Sequence, residues 1–338
     1  LIPVRSRMQS IENAEYRSCR SEKMRQNMKL LQMKEHYDSQ FDKMTKAPVG
    51  ELVVKLGIPT TLSMLVTNLY NMVDTMFVGQ LGTSASGAVG IVFGYMAVLQ
   101  AFGFMFGQGS GSIISRMLGR QNKKDASRIA STAFFTVFSI GVIISLLSAA
   151  CLTPLMYLLG STDTILPYAK TYVTFIIIAA PFMTSCFTLN NILRYERRAS
   201  LAMIGLMAGA VLNMVGDPFF MFVLDMGIAG AGLSTALSQI VSFIILLSMF
   251  LTGRTQCKIS IKNYTRKPKE ILDIATTGFP SLVRQGLSSV STMVLNGQAA
   301  MYGDAAVAAM SIVGRISMFV FAVGLGMGQG FQPVCGFN

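Results

Sequence analysis

The chain has 338 residues, of which 52% are hydrophobic and only 13% are charged. A soluble globular chain carries about 25% charged residues, and the mean hydropathy of +0.52 also lies far outside the soluble range. These values exclude a disordered protein, a disulfide scaffold and an ordinary cytosolic enzyme, and they predict several membrane spans. The net charge of +12 therefore indicates cytoplasmic loops rich in Lys and Arg, and no nucleic-acid partner is expected.

Residues 1–47 are polar and charged and show no sustained apolar face, so we predict a disordered N-terminal tail. The tail lacks the apolar stretch of a signal peptide. The sequence after Met33 resembles an ordinary protein start, and residues 1–32 are therefore expected to be an artefact of start-site assignment. The alternative is a basic arm near an anionic membrane surface.

Long apolar segments separated by short polar breaks follow the tail. A helix needs about 20 residues to cross the hydrocarbon of a bilayer. We predict an all-α membrane protein with eight spans, at 52–79, 87–113, 128–151, 167–190, 200–223, 229–252, 271–299 and 305–331. Three segments follow from them: an N-terminal six-helix lobe over 48–252, an inter-lobe loop over 253–270, and the first two helices of a C-terminal lobe over 271–338.

The distribution of charge over the breaks predicts the orientation. The breaks after the second, fourth and sixth spans contain Lys and Arg, including Arg116, Arg194 and Arg254, whereas the breaks after the odd-numbered spans contain none. The positive-inside rule places the N-terminus and these basic breaks in the cytoplasm.

An internal repeat links the seventh and eighth spans to the first and second at an offset of 221 residues. The segment Gly57–Pro59 matches Gly278–Pro280, and Gly107–Gly109 matches Gly328–Gly330. Six spans return the chain to the same side of the membrane, so the copies are parallel, as in many secondary transporters. The alternative is a chance match between glycine-rich spans. The second copy ends after two spans, and we expect about four more spans in a complete protein.

Asp74 and Asp217 are the two carboxylates that lie well inside the predicted spans, and a carboxylate in the membrane indicates a functional site. Tyr70 and Asn213 each precede one of them by four residues and so share its helix face. Thr235 lies at the same predicted depth, roughly 8–9 Å below the outer interface. These oxygen-rich side chains predict one site for a proton or a Na⁺ ion. The alternative places each aspartate separately at a helix end.

Other polar residues within the spans are candidates for an internal cavity. Arg315 lies near the middle of the eighth span and must face a cavity or a partner. Gln108 and Gln329 occupy equivalent positions of the repeat and are further cavity candidates. Arg284 lies in the inner half of the seventh span, from which its side chain can extend to the cytoplasm.

No motif in the sequence indicates an enzyme. The one histidine is His36 in the tail, and the chain has no phosphate-binding glycine motif and no metalloprotease motif. We therefore expect neither catalysis nor a cofactor, apart from a coupling ion.

The first and fifth spans, read as GIPTTLSMLVTNLYNMVDTMFVGQLG and LMAGAVLNMVGDPFFMF, resemble the multidrug and toxic compound extrusion (MATE) family and its MepA-like bacterial branch. The resemblance covers residues 48–338. It implies two six-helix lobes and a cation-coupled antiporter whose substrates are mostly lipophilic cations. By motif, Asp74 resembles the first-helix aspartate of the cation site, with Asn213, Asp217, Thr235 and Tyr70 as its partners. Pro59 resembles the proline linked to bending of the first helix.

The sequence and the resemblance together predict an H⁺- or Na⁺-driven drug exporter of the bacterial cytoplasmic membrane, surrounded by lipid. A lipid-linked oligosaccharide flippase of similar architecture is the main alternative, and it would require a more cationic central cavity. A membrane sensor or an ion channel would not need the repeat. The coupling ion, the substrate and the oligomeric state are left open by the sequence.

Overall fold

The computed structural model describes residues 48–265, 267–300 and 304–337, without the side chains of 289–290, 292–293, 296–297, 299–300, 304–312, 315 and 337. Described residues are almost all helical, and no strand occurs among them. The helices are α1 Val49–Gly79, α2 Thr83–Gly119, α3 Lys123–Ala150, α4 Leu152–Leu158, α5 Leu166–Tyr195, α6 Ala199–Pro218, α7 Ile228–Leu251, α8 Pro268–Ala300 and α9 Asp304–Phe337. The predicted tail over 1–47 lies outside the described residues. The all-α prediction is confirmed.

Seven of these helices are long and apolar enough to cross a membrane: α1, α2, α3, α5, α6 with its extension to Val223, α7, and Ile316–Gly336 of α9. The seventh predicted span, 271–299, forms α8, a helix of 33 residues. This helix is long enough to cross a membrane but less apolar than the other seven, because polar residues such as Arg284, Gln285 and Ser288 interrupt it. These three residues line an internal cavity, whereas Asp273, Thr276 and Thr277 near the start of α8 are exposed.

The breaks between helices coincide with residues that tolerate a left-handed backbone. Gly82, Gly160, Gly227 and Gly253 all have positive φ, and each lies at or beside the end of a helix. Asn122 starts α3 by accepting a hydrogen bond from the Asp125 N–H at 3.2 Å, as an N-cap does. The residues that begin and end the helices can therefore be recognised locally in the sequence. For this reason the predicted breaks lie close to the observed helix ends.

Helix α5 lies at the centre of the bundle. It packs against α2, α3, α6 and α7, and its side chains Tyr172, Ile176, Leu189 and Leu193 are fully buried. Helices of the second repeat copy pack crosswise on the first copy: α8 lies against α2, and α9 lies against α1. This exchange is what an approximate two-fold relation between the copies requires, since α1 corresponds to α8 and α2 to α9.

Equivalent glycines of the repeat make reciprocal contacts. A Cβ atom added to Gly109 would meet the backbone of Gly278, and one added to Gly330 would meet the backbone of Gly57. Gly57 corresponds to Gly278 and Gly109 to Gly330, so one close backbone crossing occurs twice. A chance similarity would not produce this symmetry, and the structure therefore supports the predicted repeat.

The segment between α7 and α8 is held against the first six-helix lobe by hydrogen bonds. The buried Glu196 carboxylate accepts the Gln256 N–H at 2.8 Å and the Cys257 N–H at 3.0 Å. Hydroxyl groups of α3 accept three more backbone N–H groups, from Lys258, Ser260 and Thr265. Burial raises the pKa of Glu196, while hydrogen bonds from Cys257 and Gln256 and the charge of Arg198 offset part of the rise. The inter-lobe loop is thus a docked segment that ends where α8 begins, at Pro268.

Candidate functional site

Asp74 of α1 and Asp217 of α6 are brought together in the interior. Their side chains are 3% and 0% exposed, and the two carboxyl groups lie within hydrogen-bonding reach of each other. Asp74 Oδ1 and Asp217 Oδ2 are buried and have no hydrogen-bond donor among the described residues. Two buried carboxylates at this separation repel each other unless a proton or a cation lies between them.

Neutral polar groups surround the carboxylates. Asn213 Nδ2 donates to Asp217 Oδ1 at 3.0 Å and lies 3.3 Å from Thr235 Oγ1 and 3.4 Å from Ser234 Oγ. The Tyr172 hydroxyl lies 3.4 Å from Thr235 Oγ1. Asn213 Oδ1 is a third buried oxygen that no donor within the described ranges reaches. We call this group the acid cluster, and it comprises Asp74, Tyr172, Asn213, Asp217, Ser234 and Thr235.

Small residues permit the close approach of α6 and α7 that forms the acid cluster. Gly209, Asn213 and Gly216 are spaced four and three residues apart and lie on one face of α6. A Cβ atom at Gly216 would lie 2.6 Å from Ser234 Oγ, and one at Gly209 would collide with Ser242. The glycines on either side of Asn213 thus let its short amide reach Thr235 on the neighbouring helix.

Pro218, directly after Asp217, does not end the helix. The chain continues as a π-helix over Phe219–Val223. This wider helical turn accommodates the proline, which has no N–H to donate to a helical hydrogen bond. Asp217 remains fully buried inside the bundle, and its polar partners come from α1, from α6 itself and from α7. The alternative in which each aspartate sits separately at a helix end does not fit this arrangement.

A cavity of about 340 Å³ lies beside the acid cluster, between the first lobe and the helices α8 and α9. Tyr70, Asn213 and Thr235 belong to its wall, so Tyr70 lies at the edge of the site while the two carboxylates do not line the cavity. Apolar side chains from both repeat copies form much of the remaining wall, including Met64, Phe104, Phe187, Leu206, Met318, Phe321 and Leu325.

Two arginines line the cavity. Arg284 of α8 faces it, although the sequence allowed its side chain to extend to the cytoplasm. Arg194 was expected in the break after the fourth span, but it belongs to the last turn of α5 and is 6% exposed. The side chain of Arg315 lies outside the described residues, so its predicted position in a cavity stays a prediction.

Gln108 and Gln329 are not among the described residues that line this cavity. Both bridge the repeat copies instead. Ser281 Oγ of α8 donates to Gln108 Oε1, and Arg194 Nη1 of α5 donates to Gln329 Oε1. Their symmetric bridging roles follow from their equivalent positions in the repeat.

Polar contacts at the basic end of the bundle, where Arg116 and Arg120 lie, join α5 to α9. Arg194 Nη2 donates to Asn191 Oδ1 at 3.2 Å, and the Tyr195 hydroxyl donates to Gln332 Oε1 at 2.8 Å. We call these residues the Arg194 cluster, and it comprises Asn191, Arg194, Tyr195, Gln329 and Gln332. Nearby, Ser115 Oγ of α2 donates to the Pro333 carbonyl of α9 at 3.1 Å.

Sequence reasoning identified four members of the acid cluster, Asp74, Asn213, Asp217 and Thr235, and missed Ser234 and Tyr172. Ser234 is adjacent to Thr235 but carried no separate signal. Tyr172 comes from α5, and only the packing of α5 against α7 brings its hydroxyl to Thr235. Tyr70 is near enough to interact electrostatically with both carboxylates.

An all-helical bundle with an internal parallel repeat, a buried pair of carboxylates and a cavity between the repeat copies defines a multi-pass membrane transporter. The MatE family matches residues 59–219 and 280–338, which is more than half of the chain. The chain belongs to the MatE family, and the resemblance stated above is confirmed.

Individual relatives agree with this assignment. The multidrug export protein MepA of Staphylococcus saprophyticus is 29% identical over 303 residues, covering 89% of this chain and 67% of MepA. A structure described as the outward-facing conformation of a multidrug resistance MATE family transporter is 28% identical, with a TM-score of 0.81 over 87% of this chain and 66% of that chain.

A second solved structure is a MOP superfamily transporter from Pyrococcus furiosus, described as having a binding pocket of reverse polarity that suggests a different function. It is 28% identical, with a TM-score of 0.79 over 85% of this chain and 64% of that chain. The chain therefore spans about two thirds of the length of the relatives it matches.

Proposed function

We propose that this protein is an H⁺- or Na⁺-coupled antiporter that exports lipophilic small molecules across the bacterial cytoplasmic membrane, with its N-terminus in the cytoplasm. The observation that carries the proposal is a set of three buried oxygens that receive no hydrogen bond from the described part of the chain: Asp74 Oδ1, Asn213 Oδ1 and Asp217 Oδ2. Carboxylate and amide oxygens are ligands that a hard cation prefers, and a proton shared by the two carboxylates would remove their repulsion equally well.

The acid cluster and the cavity share Tyr70, Asn213 and Thr235, and this sharing provides a route for coupling. A cation that binds between Asp74 and Asp217 would reorient the Asn213 amide and the Thr235 hydroxyl, which also form the cavity wall. Cation binding would thereby change the affinity of the cavity for cargo and favour one state of the transporter over another. Alternating access would then move the two repeat copies relative to each other.

The chemical class of the transported cargo is inferred from the relatives and from the residues of the cavity wall. MepA is a multidrug export protein by name, and the family resemblance implies mostly cationic, lipophilic drugs. The aromatic and methionine side chains of the wall suit varied lipophilic molecules, because such side chains adapt their shape to different ligands. One relative is described with a pocket of reverse polarity, so the charge of the cargo needs a separate test.

The lipid-linked oligosaccharide flippase is not favoured, since relatives such as MepA of two Staphylococcus species are named multidrug export proteins. An enzymatic activity has no candidate site among the described residues that we identified. We therefore retain transport of small molecules as the single proposal.

The test uses the complete gene product in vesicles, with an imposed proton gradient or Na⁺ gradient. Export of a cationic dye, ethidium, and of an anionic dye, 1-pyrenesulfonate, is followed for wild type and for Asp74→Asn. We expect one gradient to drive export of at least one dye and Asp74→Asn to abolish it. Asp225→Asn is the control, because Asp225 is exposed and its positive φ accommodates asparagine. Export that Asp74→Asn leaves intact, or no gradient-dependent export of either dye by correctly inserted protein, would contradict the proposal.

A further inference from the structure

The covalent connection between the two repeat copies lies on the first lobe as an extended chain. We call residues 255–265 of this connection the strap. Thr255, Cys257 and Ile259 are buried, whereas the residues between them are partly or fully exposed. Burial of every second residue is the pattern of an extended chain that turns one face towards a surface.

Hydroxyl groups one helical turn apart on α3 bind the middle of the strap. Ser127 Oγ accepts the Lys258 N–H at 3.1 Å, and Ser131 Oγ accepts the Ser260 N–H at 3.2 Å. Two residues of extended chain cover about 6.6 Å, and four residues of helix cover about 6 Å. The spacing of the hydroxyl groups on α3 therefore matches the spacing of the N–H groups on the strap.

The last hydrogen bond fixes the strap close to the start of α8. Thr132 Oγ1 accepts the Thr265 N–H at 3.2 Å, and two positions separate Thr265 from Pro268, the first residue of α8. This length of chain reaches about 10 Å. Without the docking, the sixteen residues that separate α7 from α8 could span more than about 50 Å. Docking therefore shortens the connection between the copies about fivefold.

Two contacts between the copies differ in how near they lie to this short connection. Arg128 Nη2 of α3 lies 3.3 Å from Glu270 Oε1 in the first turn of α8, directly beside the connection. The Tyr195 hydroxyl of α5 donates to Gln332 Oε1 of α9 at 2.8 Å. The strap restrains the start of α8 and not this part of α9. At the basic end of the bundle, α9 can therefore separate from α5 while α8 stays beside α3.

We propose that the strap stays docked on the first lobe throughout the transport cycle and makes the start of α8 the pivot of the second repeat copy. The copies then separate at the basic end by opening between α5 and α9, and the neighbours Arg128 and Glu270 stay together. The inference rests on the proposed export function, because alternating access supplies the motion.

The experiment compares two cross-links in the complete gene product. Arg128→Cys with Glu270→Cys ties α3 to α8, and Tyr195→Cys with Gln332→Cys ties α5 to α9. The same short bis-methanethiosulfonate closes both pairs, and gradient-driven export of the dye that the wild type exports is measured before closure, after closure and after reduction. We expect the link between α3 and α8 to retain at least about half of the export. The link between α5 and α9 should lower export about tenfold or more, and reduction should restore it.

The background for the cross-links has Cys19, Cys151 and Cys335 replaced by serine, since Cys151 and Cys335 are exposed and Cys19 lies in the tail. Cys257 is kept, because its thiol is fully buried in the docked strap.

Cys257 also serves as a native probe of docking. Its labelling by N-ethylmaleimide is followed with and without an imposed gradient, and we expect the same slow rate in both conditions. Ser127→Ala, Ser131→Ala and Thr132→Val together remove three acceptors of the strap and should accelerate labelling about tenfold or more. Thr136→Val, one turn further along α3, is the matched control, because its hydroxyl has no hydrogen-bond partner within the described part of the chain.

Several outcomes would overturn the inference. These are faster labelling of Cys257 under a gradient, a triple variant that labels no faster than Thr136→Val, loss of export on linking α3 to α8, and full export with α5 linked to α9. A protein that exports neither dye before cross-linking would contradict the proposed function instead. The labelling of Cys257 would still decide whether the strap stays docked, because that measurement does not depend on export.

Discussion

The acid cluster and the Arg194 cluster are both buried and polar, but they differ in which repeat copies supply their residues. Every member of the acid cluster comes from α1, α5, α6 and α7 of the first lobe. The Arg194 cluster joins α5 of the first lobe to Gln329 and Gln332 of α9 in the second. A motion of one repeat copy against the other would leave the acid cluster intact and would break the Arg194 cluster.

This difference separates two tasks within one bundle. A site that keeps its geometry while the lobes move can keep an ion bound throughout the transport cycle. Contacts between the lobes, in contrast, can form in one conformation of the transporter and break in the other. The reciprocal glycine crossings at Gly57–Gly330 and Gly109–Gly278 are among the contacts that hold the repeat copies together in the present state. Variants of the two clusters and of the glycine crossing test this separation of tasks, and a variant at Glu196 tests a feature outside both clusters.

The largest effect is expected from the acid cluster. Asp74→Asn and Asp217→Asn should each lower gradient-driven export by about 100-fold or more, and the double variant should lower it no further, because the two carboxylates hold one ion as a unit. The melting temperature should not fall, since removing one of two buried like charges relieves repulsion. Dye export and thermal unfolding measure the two quantities. A double variant whose loss equals the product of the single losses would show two independent sites.

The next largest effect is expected at the crossing of α1 and α9. Gly330→Val would push its side chain into the backbone of Gly57, and overpacking against backbone costs about 1–3 kcal/mol or more. The melting temperature and the monodisperse fraction in detergent should both fall. Gly328→Val is the control, because a Cβ at Gly328 on the same helix meets nothing within 4 Å. Similar losses in both variants would place the close crossing elsewhere.

The Arg194 cluster should respond more modestly. Gln329→Leu removes a neutral acceptor from a buried guanidinium and should cost about 1–3 kcal/mol of stability. Gln108→Leu is the matched control at the equivalent position of the repeat, where the partner is the Ser281 hydroxyl and the expected cost is about 0.5–1.5 kcal/mol. Thermal unfolding of both variants provides the comparison. A cost at Gln108 that equals the cost at Gln329 would mean that the charge of Arg194 is not what distinguishes the two bridges.

The smallest effect is local and concerns neither cluster. Glu196→Ala deprives the Gln256 and Cys257 N–H groups of their acceptor and should ease local opening of the inter-lobe segment by about 1–2 kcal/mol. Amide hydrogen exchange at these two residues should accelerate about tenfold or more, while exchange in α1 and α6 stays unchanged. Glu270→Ala is the control, since its ion pair with Arg128 is partly exposed and contributes little. Unchanged exchange at Gln256 and Cys257 would contradict the docking of this segment by Glu196.

Much of the fold could be predicted because its signals are local. Apolar length predicts seven of the membrane helices, and glycines with positive φ, such as Gly82 and Gly227, lie directly before the start of the next helix. The polarity of α8 shows where local reasoning fails, since Arg284, Gln285 and Ser288 lower the apolarity of the helix and yet line a cavity. Hydropathy counts residues along the chain and does not distinguish a face that borders a cavity from one that borders lipid.

The candidate site was predictable to the extent that chemistry and depth are readable from sequence. A carboxylate is costly to bury in an apolar span, so Asp74 and Asp217 were identified as functional candidates. Asn213 and Thr235 were added because their predicted depth below the outer membrane interface is the same. Ser234 and Tyr172 joined the site only through the packing of α6, α7 and α5. Gln108 and Gln329 were assigned to a cavity, whereas the structure places them in bridges between helices.

The amino-acid sequence by itself determined the class of protein, the positions of the helices, the parallel repeat and the two carboxylates that meet in the interior. These depend on apolar length, on glycine and proline at chain breaks, and on the cost of burying a charge, all of which act locally or on single residues. Only the tertiary structure decided that Arg194 is buried beside the cavity, that the carboxylates lie behind its wall, and that the Arg194 cluster joins the two repeat copies. These properties depend on which helix faces meet, and that choice is made by packing between segments far apart in the chain.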